Sequence, residues 1–147
     1  MIRKANIKDF ESYLKLKRLE EKDYSSITRK KIRYPEDKVL RKEFLNALRK
    51  QLILIVEFDN RIVAYMHGTF FRNPYYKWGY VEDIYVVKEL RRKGIAKELI
   101  RYFVKILDKK GYKRIDLSVN PANVGAIKLY KKSGFKVFHW DLKKEWK

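Results

Sequence analysis

The spacing of apolar residues alternates along the chain between the period of a strand and that of a helix, and each switch marks an element. Met1 to Ala5 is short and semi-apolar and reads as a strand. Asn6, with Asp9 three residues on, offers an N-cap, and Phe10, Tyr13 and Leu14 recur at helical spacing behind it, which predicts a helix from Ile7 to Lys22. From Asp23 to Tyr34 the pattern dissolves into Ser, Thr and basic residues and predicts a loop. Pro35, followed by Glu36 and Asp37, opens a second helix that runs to Lys50 with Val39, Leu40, Phe44, Leu45 and Leu48 on one face. Leu52–Phe58 and Arg61–Phe70 flank the turn dipeptide Asp59-Asn60 and predict a hairpin. Trp78–Val87 is a further strand, after a loop containing Asn73-Pro74. A helix over Gly94–Lys110 buries Ile95, Leu99, Phe103, Ile106 and Leu107 and stops at Gly111. Arg114–Val119 reads as a strand, Pro121–Lys132 as a helix closed by Gly134, and Phe135–His139 and Leu142–Trp146 as closing strands. The order βααβββαβαββ predicts an α/β (α+β) fold: one mixed sheet flanked by about four helices, in a single domain over residues 1–147.

A hydrophobic content of 46% in 147 residues supports one folded core. Thirty-seven Lys and Arg against 18 Asp and Glu leave a formal charge of +19, a field that concentrates polyanions and repels free cations. With no Cys there are no disulfides, thiolate metal sites or Cys nucleophile, and with only His67 and His139 no metal site is expected. The longest aliphatic run, Leu52 to Val56, is far shorter than the roughly 20 residues of a membrane-spanning helix, and the chain start lacks the apolar segment of a secretion signal. A cytoplasmic protein without membrane association is expected.

The segment Val81-Glu82-Asp83-Ile84-Tyr85-Val86-Val87-Lys88-Glu89-Leu90-Arg91-Arg92-Lys93-Gly94-Ile95-Ala96 carries the most chemistry. A strand ends, a basic loop with one Gly follows, and an amphipathic helix begins. Free amides and the dipole at a helix N-terminus cradle a pyrophosphate, and Gly94 admits close approach, with Arg91, Arg92, Lys93 and Lys97 adding positive charge. The same spacing also fits a plain helix start with solvated basic residues. It lacks the Gly-Lys-Ser/Thr ending of a P-loop and the three glycines of a dinucleotide fingerprint.

Arg91-Arg92-Lys93-Gly94-Ile95-Ala96 resembles the Arg/Gln-x-x-Gly-x-Gly/Ala signature of the GCN5-related N-acetyltransferase (GNAT) superfamily, and Ile84-Tyr85-Val86 its cofactor-binding strand. A second match follows at Asn123-Val124-Gly125-Ala126-Ile127-Lys128-Leu129-Tyr130-Lys131-Lys132-Ser133-Gly134-Phe135. The resemblance implies an acetyl-CoA-dependent N-acetyltransferase that moves an acetyl group to a primary amine by direct attack, with CoA as product. The backbone of Ile84, Tyr85 and Val86 is then expected to pair with the pantetheine arm. The amides of the Arg91 to Lys97 stretch, including Arg92, Lys93, Gly94, Ile95 and Ala96, are expected to hold the pyrophosphate, and Asn123 to hydrogen-bond the cofactor. Tyr130, two turns further along the same face, is expected to act as the acid toward the leaving thiolate. Ala96 stands where Gly is commoner, and Ser118 where some protein N-terminal acetyltransferases carry a catalytic Glu.

A primary amine of pKa about 10.4 must lose a proton before it attacks, and Glu82 and Asp83 are the acidic pair of the region. Strand alternation turns neighbours to opposite faces, so only one of the two is expected in the cleft. Glu-Asp at this place resembles spermidine/spermine acetyltransferases, which implies Glu82 as base and Asp83 as substrate contact; two solvated carboxylates fit the spacing as well. The aromatic run Phe70, Phe71, Tyr75, Tyr76, Trp78 and Tyr80 is either an amine-binding wall, core packing or an association surface. His67 reads as a core or cleft residue, and Arg29-Lys30-Lys31 with Arg33 as a solvated charge run or a contact for an acidic partner. The acceptor is expected to be a small amine or polyamine, or a protein amine, with a homodimer as an open expectation. The alternatives are a CoA-ester-binding regulator without catalysis and a basic nucleic-acid-binding module; the bases are distributed instead of striped and match no nucleic-acid signature, so specific nucleic-acid binding is not expected.

Overall fold

The computed structural model describes residues 1–146. Asn6 caps the entry to the first helix as expected: its Oδ1 accepts from the Lys8 amide at 2.9 Å, and Asp9 Oδ2 accepts from the Asn6 amide at 2.7 Å. Strand β1 (Ile2–Lys4) precedes this cap. A short 3-10 turn then leads into α1 (Phe10–Thr28), followed by α2 (Asp37–Lys50), β2 (Leu52–Phe58), β3 (Arg61–Arg72), β4 (Lys77–Val86), α3 (Ile95–Lys109), β5 (Ile115–Leu117) and α4 (Val124–Lys132). The sheet runs β1-β2-β3-β4-β5, antiparallel except for the parallel β4–β5 pair. This is the expected mixed sheet with four helices. Asp59 and Asn60, at φ 48° and 57°, make the tight β2–β3 turn that the dipeptide predicts.

The two faces of the sheet are covered differently. Phe10, Tyr13 and Leu16 of α1 and Phe44 and Ala47 of α2 pack on one face around Tyr65, and Leu99, Phe103 and Leu107 of α3 on the other. Two glycines let α3 approach. A Cβ on Gly68 would stand 2.7 Å from Phe103 Cζ, and one on Gly79 would stand 2.5 Å from Leu107 Cδ1. Among the described residues no helix is long and apolar enough to cross a membrane.

Two expectations are corrected. Helix α1 does not stop at Lys22 but runs on to Thr28, where Arg29 closes it in a left-handed conformation. Its last turns hide no apolar stripe, because the inward residues there are Lys17, Glu20 and Asp23, bonded to Asp83, Tyr65 and Arg91. The closing strands over Phe135–His139 and Leu142–Trp146 are not formed, so the order ends at α4. With β5 only three residues long the outer edge offers little to pair with, and a two-stranded ribbon without a covered face is marginal. Phe138, Trp140, Leu142 and Trp146 lie exposed.

Candidate active site

The site is organised by a one-residue irregularity in β4. His67 pairs with Asp83 but Gly68 pairs with Val81, so Glu82 has no partner and bulges out of the ladder. Before the bulge, Gly79 lies against Leu107 on the α3 side; after it, Asp83 and Tyr85 face α1, the residues of the strand having changed sides in phase. The bulged Glu82 accepts from Thr69 Oγ1 at 3.1 Å, while Asp83 Oδ2 accepts from Lys17 Nζ at 3.0 Å. Thr69 and His67 are alternate residues of β3 and share that face. Strict alternation fails at the bulge, so the expectation that neighbours turn to opposite faces is corrected and both acids stand on the same side of the sheet; of the two, Asp83 lines the cavity described below.

The same bulge ends the pairing of β4 with β5, which covers only Gly79–Val81 against Ile115–Leu117. Beyond it the two strands part. The Val87 amide donates to Val63 of β3, so by alternation the backbone groups of Ile84 and Val86 point to the vacated β5 side while those of Tyr85 point to β3. Among the described residues only the Val86 carbonyl has a partner there, accepting from Arg91 Nε at 2.8 Å. Of the three predicted residues, Ile84 and Val86 thus offer a free edge. Tyr85 does not: its hydroxyl donates to Asp23 Oδ2 at 2.9 Å.

At the end of this edge the basic loop forms a nest of amides. Arg92 (φ 67°) and Gly94 (φ 83°) are both left-handed, no side chain caps α3, and its first intrahelical bond is Glu98 N–H to Gly94 C=O. The amides of Ile95, Ala96 and Lys97 precede that bond, and the side chains of Arg92, Lys93 and Lys97 stand in solvent around them. Gly94 is required by its φ and not by crowding, since a Cβ there meets nothing within 4 Å. Arg91 serves otherwise than its charge suggested. Its guanidinium is held by Asp23 at 2.6 Å and by the Val86 carbonyl, and Asp23 also takes Lys88 at 3.0 Å, so this carboxylate of α1 fastens the loop. Burial pushes the Asp23 carboxyl up, but bonds from Arg91, Lys88 and Tyr85 outweigh it and hold its pKa below the ordinary carboxylate value.

On the acid-pair side lies a cavity of about 260 Å³ between α1, α2 and the sheet, lined among others by Tyr13, Lys17, Tyr34, Glu43, His67 and Asp83. Lys17 is 6% exposed and bridges Glu20 at 2.9 Å and Asp83 at 3.0 Å, with its ammonium 4.5 Å from the Tyr34 ring centre. Glu20 also accepts from Tyr65 at 2.6 Å. Burial draws the Lys17 pKa down, yet the two carboxylates outweigh it and raise it; burial, with Asp83 beside it, pushes Glu20 up. His67, bonded to Gln51 Oε1 at 2.6 Å, is held by burial below its usual pKa and is neutral at pH 7. Lys17, Glu20 and Asp23 escaped the sequence reading. Their signal was present, each three residues from the next at a spacing that brings neighbours onto one side of a helix, but masked by the surrounding charge.

Helix α4 brings Tyr130 to this place. The side chain is buried, edge-on to Phe135 at 5.7 Å between ring centres, and its hydroxyl makes no hydrogen bond among the described residues. Burial first, then the charges of Asp83 and Glu20, push its pKa up to about 12. Asn123 is the N-cap of α4, its Oδ1 accepting from the Ala126 amide at 3.2 Å. The aromatic run divides: Phe70 belongs to the core against Phe103 and Tyr112, whereas Phe71, Tyr76, Trp78 and Tyr80 cluster on the face of Glu82, with Phe71 stacked on Trp78 at 5.4 Å.

The model of the Acetyltransferase (GNAT) family matches residues 13–135. Among curated proteins of Arabidopsis thaliana, "GCN5-related N-acetyltransferase 6, chloroplastic" is 34% identical over 61 residues, 42% of this chain and 21% of that protein. "N-alpha-acetyltransferase MAK3" is 32% identical over 68 residues, 44% of this chain and 36% of that protein, so the matches span only about a fifth to a third of these relatives. The structure of the tetramutant of the BH1408 protein from Bacillus halodurans superposes with a TM-score of 0.89 over 99% of both chains at 19% identity, which is a likeness of fold. A family match over more than half of the chain, on the elements that carry the bulged strand, the amide nest and Tyr130, places this chain in the GNAT acetyltransferase family.

Proposed function

We propose that residues 1–147 act as one N-acetyltransferase domain, using acetyl-CoA to acetylate a primary amine by direct attack in a ternary complex. The observation that carries this reading is the bulge at Glu82, which opens a strand edge on one side of β4 and sets two carboxylates on one face beside Tyr130. The fit to the cofactor rests on unsatisfied backbone: the open edge at Ile84 and Val86 suits an extended amide-bearing arm, and the amides from Arg92 to Lys97 suit a pyrophosphate. Lys93 and Lys97 add charge to that end, while Arg91 braces the loop. Asn123, its Oδ1 spent on the cap, has its amide nitrogen left to donate. When bound, acetyl-CoA supplies the acetyl group as a thioester.

At pH 7 roughly one amine in a few thousand carries a free lone pair, because its pKa is about 10.4. Glu82 is the base in this reading. Its only side-chain partner among the described residues is the Thr69 hydroxyl, so a carboxylate oxygen is free for the ammonium proton, directly or through water. Asp83, pinned by Lys17, orients the ammonium instead. Tyr130 keeps its proton across the working pH range. Moving it fully to a thiolate of pKa about 8.5 is uphill by about 5 kcal/mol, so Tyr130 works by donating a hydrogen bond to the leaving sulfur more than by losing its proton. The Glu82-Asp83 pair also keeps the likeness to spermidine/spermine acetyltransferases as one option for the acceptor. Labelled acetyl-CoA incubated with a cell lysate and sorted by size tests the reading: label above that of a Tyr130→Phe control supports it, and cofactor binding without transfer replaces it with a CoA-ester-binding regulator.

A further inference from the structure

The acceptor cavity holds two carboxylates and one lysine, and the connection that supplies Tyr34 and Pro35 to its wall is basic. Inside, Asp83 and Glu43 line the wall together with Lys17, which pairs with Asp83 at 3.0 Å and leaves that carboxylate's other oxygen to a ligand. Tyr34 and Pro35, which also line it, end the α1–α2 connection, and the residues leading up to them include Arg29, Lys30, Lys31 and Arg33. All four cations are exposed, and none has an ion-pair partner among the described residues. The neighbouring acids are already taken: Glu21 and Asp37 both bind Arg18, at 2.8 and 2.6 Å, and Glu36 faces Lys38 at 3.8 Å. Nor does this connection hang free. The Ile32 amide donates to Ser25 Oγ at 3.0 Å, that hydroxyl also contacts the Ile32 carbonyl, and Arg18 donates to the Pro35 carbonyl at 2.7 Å. The cations are thus presented on a fixed connection that leads into the cavity wall at Tyr34 and Pro35.

Beyond the acid pair the same face continues along β4 to Tyr80 and Trp78, about 17 Å from Asp83 at the rise of a strand, or room for about five residues of extended chain. A linear polyamine fits this pattern badly. Its first ammonium suits Asp83, but every further one meets these four cations or the field of a chain at +19. One cation surrounded by anions matches both zones. Resting on the acetyltransferase reading above, we propose that the acceptor is a primary amine on an acidic peptide segment of another protein, the amine entering toward Asp83 and Glu82 and the flanking carboxylates meeting Arg29, Lys30, Lys31 and Arg33. Electrostatic complementarity of this kind acts mainly on encounter and is screened over a Debye length of about 8–10 Å near physiological salt.

The test uses the full chain, acetyl-CoA and three acceptors: two peptides of equal length, each with a free N-terminus and a central lysine, flanked in one by Asp and Glu and in the other by Ser and Gly, and spermidine. Rates are taken at about 50 and about 500 mM NaCl, for the native chain and for the Arg29→Ser, Lys30→Ser, Lys31→Ser, Arg33→Ser quadruple variant, with its melting temperature checked. The acidic peptide is expected to exceed the neutral one in kcat/KM by about tenfold at low salt, mostly through KM, and this ratio is expected to fall toward one at high salt and in the variant. Equal rates on the two peptides, a ratio that survives in the variant, or a preference for spermidine overturns the proposal while leaving the acetyltransferase reading intact. Cofactor binding without transfer to any amine in peptide or lysate overturns both.

Discussion

Replacing Lys17 with Met isolates the energetic core of the acceptor side. The side chain is 6% exposed and its ammonium lies 2.9 Å from Glu20 and 3.0 Å from Asp83. The Asp83 side chain is 34% exposed, so water takes over part of the lysine's role there; Glu20, at 13%, has no such replacement. Leaving a buried carboxylate without its partner costs about 3–5 kcal/mol, of which we expect about 3 at pH 8 because Tyr65 still donates to Glu20. The variant can escape by keeping the Glu20 proton. That carboxyl is already raised above its ordinary value, and without Lys17 it rises further, so the folded state binds a proton that the unfolded chain releases above about pH 4.3. The variant's relative stability is therefore fullest at acid pH and lost as pH climbs through the folded value. Urea unfolding followed by tryptophan fluorescence at pH 5.5 and pH 8 measures this, with a melting temperature lower by about 6–12 °C at pH 8. The Lys17→Met, Glu20→Gln double variant should recover at least half of the loss. A cost below about 1 kcal/mol at pH 8, or one that does not shrink at pH 5.5, refutes the reasoning.

Four further outcomes are expected. Tyr130→Phe should lower kcat by about 100-fold with little change in acetyl-CoA affinity, measured by steady-state kinetics and calorimetry. Glu82→Gln should lose most activity at low pH, where the amine is protonated, and regain it as pH approaches the amine pKa near 10; a pH–rate profile parallel to that of the native chain removes Glu82 as the base. Asp23→Asn should release Arg91 and Lys88 and weaken CoA binding by about tenfold with kcat nearly unchanged; in the native chain the low Asp23 pKa makes its share of stability present above the unfolded carboxylate value and lost as pH falls below it, which acid unfolding can follow. Gly68→Ala should destabilise by about 1–3 kcal/mol in chemical unfolding, because its Cβ meets the fully buried Phe103 ring.

Much of the scaffold was legible because its periodicities are strong: the stripe of α3, the β2–β3 hairpin with its left-handed turn pair and the Asn6 cap all stand where the residues place them. The open strand edge and amide nest proposed to hold the cofactor were legible as local structure for the same reason, as strand, loop glycine and helix follow in sequence. The acceptor side was hidden by its own chemistry. Hydrophobic patterning cannot see Lys17, Glu20 and Asp23 as inward residues, since their burial depends on partners from β3, β4 and the loop before α3. The shared face of Glu82 and Asp83 was missed because a bulge shifts the period without any residue type to announce it. The closing strands failed from the opposite cause: the alternation is there, but the edge they need is three residues long.

The bulge at Glu82 also sets how this site tolerates change. The free edge of β4 and the shared face of the two acids follow from one surplus residue in the ladder, so position 82 separates identity from presence. In the proposed mechanism, substituting its side chain alters proton transfer while the strand stays in register. Deleting it would restore strict alternation with Val81 and Asp83 keeping their present partners and faces, remove one of the two carboxylates, and let β4 and β5 continue to pair where the cofactor arm is proposed to lie. Insertions and deletions near residue 82 should therefore be far more damaging than any exchange of amino acid there, for both substrates at once.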